Sequence, residues 1–164
     1  MNPILRQIAD FILDTNVHNF LIESVWLFPA AETVHFMGLT LFFGALLVVD
    51  IRGLGFYKAI PFATAHRLVP VILGAFSFIV LSGFIFIFTD PERYFVNIAF
   101  LTKISLILIA GINALAFEFF VFRPFTNGQT TIENSLKTKF ISGLSLFIWI
   151  CVLICGRSIP YVEF

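Results

Sequence analysis

Charge is what this 164-residue chain has least of: ten Lys and Arg with ten Asp and Glu make up 12% of it, and the formal net charge is zero. That scarcity excludes a soluble domain. With 59% of residues apolar and a mean hydropathy of +0.99, a chain this short cannot cover its own apolar surface. The lack of a basic face sets nucleic-acid binding aside. No phosphate loop, nucleophile elbow or pair of carboxylates at glycosidase spacing is present, which sets hydrolase chemistry aside as well. Cysteine occurs twice, at Cys151 and Cys155, one helical turn apart. Sulfurs so placed bridge poorly, so the pair reads as small buried apolar residues rather than a disulfide. The first 16 residues lack an unbroken apolar core and carry Arg6, Asp10 and Asp14, which is not the pattern of a cleavable signal peptide.

What the chain does have is four apolar stretches, about residues 27–49, 68–88, 98–122 and 140–155. A crossing helix needs roughly 20 residues, so the expected fold is all-α, an integral membrane four-helix bundle occupying residues 26–164. Pro29 and Pro70 fall in first turns, where a missing amide proton is harmless. Thr89-Asp90-Pro91, Arg123-Pro124 and Gly156 to Pro160 read as stops, and residues 125–138 as the one long hydrophilic loop. Residues 1–25 read as an amphipathic interfacial segment. Ile4, Leu5, Ile8, Phe11 and Ile12 form a stripe opposite Arg6, Asp10 and Asp14, suited to a helix lying in the headgroup layer or packed on the bundle. A second short amphipathic turn is expected near residues 17–25.

Basic residues orient the chain. Arg52, Lys58 and Arg67 follow the first span, and Arg123, Lys137 and Lys139 follow the third, so these loops are expected in the cytoplasm. Both termini then face the periplasm of a bacterial inner membrane. At the inner boundary Asp50, Arg52, His66, Arg67 and Glu118 gather, with Asp50, Arg52 and Arg67 expected to pair or to snorkel to headgroups.

Ionisable residues inside spans are the default functional candidates. Glu32 and His35 lie roughly 6 to 12 Å inside the outer end of span one, and Lys103 roughly 8 Å inside the same end of span three, at 1.5 Å per residue. Glu32, His35, Leu39, Leu46 and Asp50 share one broad face of the first helix, and Lys103, Ile107, Ala110 and Ala114 form the matching stripe on the third. Three readings compete. A Glu32 to Lys103 ion pair can lock the helices while His35 bonds a backbone or serine group. His35 can be an axial ligand of haem b, in a pocket that 23 phenylalanines would suit. Its second ligand would be His18, a second copy of His35 across a homodimer, or none, because His66 lies at the far end. Glu32-x-x-His35 can also contribute to a metal site, copper included, although a di-iron bundle needs two such motifs.

Several of these residues belong to a set that resembles a bacterial family of small four-helix inner-membrane proteins of unknown function. The set is Trp26-x-x-Pro29-x-x-Glu32-Thr33-x-His35-x-x-Gly38, Asp50-Ile51-Arg52-Gly53-Leu54-Gly55, Ser82-Gly83, and Tyr94-x-x-Asn97-x-x-Phe100-x-x-Lys103. The resemblance implies the four-helix fold and signature roles for Glu32, His35 and Lys103, and it carries no reaction. The expected function is a redox-associated accessory subunit in the lipid bilayer. His35 would hold the cofactor or metal, Glu32 would orient the imidazole, and Lys103 would balance Glu32 or a propionate. The alternative is a structural or assembly subunit of a larger membrane complex in which the same cluster only locks the helices.

Overall fold

The computed structural model describes residues 3–126 and 135–162, which form helices and no strands. Two short helices come first, α1 (Pro3–Leu13) and α2 (Asn16–Glu23). α1 buries Ala9 and Ile12 and leaves Ile4, Ile8 and Phe11 exposed. Thr15 starts α2 by accepting the His18 amide proton on its hydroxyl, 3.2 Å away, which satisfies a donor the helix itself cannot.

Among the described residues four helices are long and apolar enough to cross a membrane. They are α3 (Leu27–Gly53), α5 (Val69–Thr89) with the short α4 (Phe62–His66) before it, α7 (Ile98–Phe117), and α9 (Leu136–Ser158). α6 (Pro91–Val96) joins α5 to α7; a π-helical turn (Glu118–Phe122) and α8 (Arg123–Thr126) extend α7, and a 3-10 turn (Ile159–Tyr161) follows α9. Asp90 caps α6, accepting from the Arg93 amide at 3.2 Å, and Asn97 caps α7, accepting from the Phe100 amide at 3.1 Å.

The helices outrun the apolar stretches. α3 continues through Asp50 and Arg52, and α9 begins at Leu136, because the backbone ladder needs no apolar side chain. Arg123-Pro124 does not stop the third long helix. The wide π turn lets the Arg123 amide reach the Glu118 carbonyl, and Pro124 falls in the first turn of α8, where it interrupts nothing. Most of the expected hydrophilic loop, residues 127–134, lies outside the described residues.

α3 packs along α5 and α7 along α9, with a smaller crossing of α3 over α9, while α3 and α7 scarcely touch. Phe42, Leu46, Ala75 and Ile79 fill the first seam, and Ala110, Ile148 and Val152 the second. Trp149 bridges them, its ring 4.4 Å from Phe42 and 6.0 Å from Phe76. The stripe expected on α7 is rotated: Ala110 is buried, but Ala114 is exposed and Asn113 turns inward. The Asn113 amide donates to the Ile141 carbonyl at 3.1 Å, a partner that the lipid-facing side would not offer.

At the end where α3 stops, Asp50 and Arg52 diverge, since residues two apart on a helix do not face one another. Asp50 is 3% exposed and lies beside Ser145, whereas Arg52 Nε donates to the Ile60 carbonyl at 2.7 Å and holds the following loop. Glu118 lies there between two partners, with His66 Nε2 at 3.2 Å and Arg123 Nε at 3.6 Å.

At Gly53 α3 and α9 come close, for a Cβ there would collide with the Ser142 hydroxyl, while around Gly44 the space is open. Gly53→Ala should therefore destabilise the protein by about 1–3 kcal/mol, the usual range for overpacking, and Gly44→Ala should not. Thermal unfolding of the two variants in detergent measures the difference.

Candidate functional site

At the end where α3 begins, a cavity of about 730 Å³ lies between α3 on one side and α7 with α9 on the other. Glu32 and His35 reach it from α3, three residues apart and so on one side of the helix. Lys103 reaches it from α7, Arg157 from α9 and Tyr94 from α6. Phenylalanines 36, 43, 86 and 100 supply most of the aromatic wall, and Ile159 and Pro160 of the terminal 3-10 turn close one side. The three residues singled out by depth thus meet around one space. No ion pair joins Glu32 to Lys103 among the described residues. The Lys103 ammonium lies instead over Gly156, 3.2 Å from where a Cβ would stand.

His35 is 9% exposed, and its hydrogen bonds define its tautomer. The Ser82 hydroxyl lies 2.7 Å from the Phe78 carbonyl and 3.1 Å from that of Ile79, so it is assigned as a donor to the backbone and its oxygen as the acceptor of the imidazole Nδ1–H, 2.8 Å away. Nε2 is left with its lone pair. The ring is held further by Phe86, whose centroid is 5.1 Å off, and Gly83 leaves room beside Cε1.

Tyr94 adds a donor. Burial pushes its phenol above the ordinary value near 10, with the Asp90 and Glu32 carboxylates adding to that and Arg93 opposing it. The hydroxyl therefore keeps its proton at neutral pH. Arg157 donates to the Tyr161 hydroxyl at 2.9 Å, which steadies the guanidinium at the rim.

His18 does not line the cavity; its Nδ1–H donates to the Phe88 carbonyl at 2.8 Å, tying α2 to the last turn of α5. His66 is bonded to Glu118 at the other end. Cys151 and Cys155 are free thiols, half-buried on α9. Among the described residues no three His, Cys, Asp or Glu side chains come together as a bare metal ion requires.

Ser82, Tyr94, Asn97 and Arg157 were not singled out from sequence as site residues. For Ser82 a signal existed: it lies roughly 10 Å inside α5 at 1.5 Å per residue, the depth of His35 on α3. Tyr94 shared a motif with Lys103 but, like Arg157, gave no sign of facing the site, because their convergence depends on α6 and on the path of the chain after α9.

All-helical architecture, four helices of crossing length and a polar-ended cavity between two helix pairs define a class of small membrane-type bundle. Within it, residues 26–162 match a family of unknown function, DUF6644, and the chain belongs to that family. No curated protein and no solved structure matches the chain.

Asn97 holds the cavity's rim in two ways. Its side-chain oxygen caps α7, while Nδ2 donates to the carbonyls of Ile159, 3.0 Å, and Val162, 2.8 Å. Asn97→Asp keeps the cap and loses both donors. Hydrogen exchange should accelerate around residues 159–162 by roughly tenfold or more, as expected for about 1–3 kcal/mol of lost hydrogen bonding, and stay unchanged in the first turn of α7; equal protection in both segments would refute the clamp.

Proposed function

We propose that this protein is an integral membrane subunit, associated with redox chemistry, that binds a cofactor in the cavity through His35. In this reading the bundle spans a bacterial inner membrane with both termini on the periplasmic side, and α1 lies in the outer headgroup layer. The site is then in the outer half of the bilayer. The chain acts as an accessory to a larger membrane complex or as a homodimer.

The observation that carries the reading is the fixed imidazole. Ser82 bonds Nδ1, a contact that also suits a helix lock, but the same ring lines the cavity and its Nε2 has no protein partner among the described residues. Ligand histidines have this design: the second nitrogen is oriented by a hydrogen bond so that the first is presented to the ligand. Around it stand two cations, Lys103 and Arg157, one carboxylate, Glu32, and one phenol, Tyr94.

Haem b is one cofactor this arrangement favours. The porphyrin brings four nitrogens of its own, so one protein ligand is sufficient where a bare ion would need several, and Lys103 and Arg157 are suited to its propionates. A hydrogen-bonded organic cofactor uses the same lone pair as an acceptor.

The full-length protein, purified in mild detergent, is expected to retain a cofactor detectable in its visible spectrum or in an organic extract. His35→Ala should lower that occupancy at least tenfold, and Ser82→Ala by about tenfold, the usual cost of losing an orienting partner. A wild-type protein with no absorbing group, no metal and no extractable cofactor would leave the helix-locking alternative in its place.

A further inference from the structure

We propose that the occupant of this cavity is an isoprenoid quinone, its head at His35 and its tail along α3. This rests on the reading that the cavity is a cofactor site, and it is carried by the cavity's shape and polarity. The lining runs along α3 from Glu32 to Leu47, about 22 Å at 1.5 Å per residue. Every ionisable group lies at one end. The remainder forms an apolar arm past Phe36, Thr40, Phe43 and Gly44. Thr40 does not break that character, since its hydroxyl donates to the Phe36 carbonyl of its own helix at 2.9 Å. Gly44 leaves the arm unobstructed, with nothing near the place of a Cβ. Phe36 is 64% exposed, so the arm opens sideways, to the surface that faces acyl chains.

A long apolar arm is more than a porphyrin requires and is what a lipid tail requires. The polar end then selects among amphiphiles. A fatty acid or phosphate headgroup would meet Lys103 and Arg157 but also the Glu32 carboxylate, whereas a neutral head with carbonyl or hydroxyl oxygens on opposite edges matches a mixed set. Lys103 and Tyr94 donate to a quinone carbonyl, and His35 Nε2 accepts from a quinol hydroxyl.

The test uses the full-length protein in nanodiscs, titrated with decylubiquinone, which has a tail, and with ubiquinone-0, which has none. Wild type should bind decylubiquinone at least tenfold more tightly than the tailless head. Gly44→Phe, which fills the arm, should abolish that preference and leave ubiquinone-0 binding unchanged; Lys103→Met should weaken both, and His35→Ala, which removes the acceptor for a quinol hydroxyl, should weaken both probes in their reduced quinol form; Gly111→Phe, at another open position, should change neither. Equal affinity for the two probes, or a preference untouched by Gly44→Phe, would overturn the quinone assignment. So would a purified protein that carries haem with its Soret band, or only phospholipid or fatty acid in its extract. Haem would sink the quinone and keep the cofactor reading, whereas no binding of either probe and no native cofactor would sink both.

Discussion

The chain from imidazole to hydroxyl to carbonyl, His35 to Ser82 to Phe78, is the contact on which the rest of the arrangement depends. Inside apolar helices a polar group without a partner costs several kcal/mol, and lipid supplies none. His35 therefore pins α3 to α5 at one depth and one rotation. Gly38, one turn on, then faces Ile79 and the Ala75 carbonyl closely enough that a Cβ would have to push the Ile79 side chain aside. Phe42 and Leu46 follow on the same side into the seam. The bond that sets this register also decides which nitrogen of the ring stays available.

Much of the fold was legible because lipid-compatible helices announce themselves by composition. Four long apolar stretches among few charges leave little else for the chain to be. Their ends were less legible, since hydropathy stops at Asp50 and Arg52 while the backbone ladder continues through both. The rotation of α7 was missed because small-residue spacing favoured Ala114, and only the Ile141 carbonyl on α9 draws Asn113 inward. In the site, depth and helical phase were enough to bring Glu32, His35 and Lys103 to one place. They were not enough to say what each would touch. Glu32 and Lys103 carry opposite charges at matching depth, yet the ammonium settles over Gly156, a vacancy that appears only when α7 and α9 are packed. His18, considered from sequence as a ligand, holds α2 against α5 instead, for the Phe88 carbonyl at the end of α5 offers it an acceptor.

The cavity itself follows from how the helices pair. Two tight pairs joined by one crossing of α3 over α9 leave α3 and α7 apart, and the gap between them is the cleft. Lys103 is long enough to reach across from α7 because Gly156 gives way, and the 3-10 turn after α9 is drawn over the rim by Asn97. Polar contacts thus border the gap without filling it.

At mid-depth the bundle closes. Trp149 stacks edge-on against Phe42, and Phe76 packs on both. Below that plug lie Asp50 with Ser145, and Glu118 with its two partners, so the polar groups at the two ends are separated by a layer of aromatic rings. A polar solute finds no continuous lining between them along these seams, which argues against reading the two clusters as halves of one transport path. The cleft is open sideways instead, along the exposed face of Phe36, Thr40 and Gly44. For a molecule that already lives in the bilayer, that is the direct approach to His35, along a face of α3 that the aromatic plug on the other side of the helix leaves open.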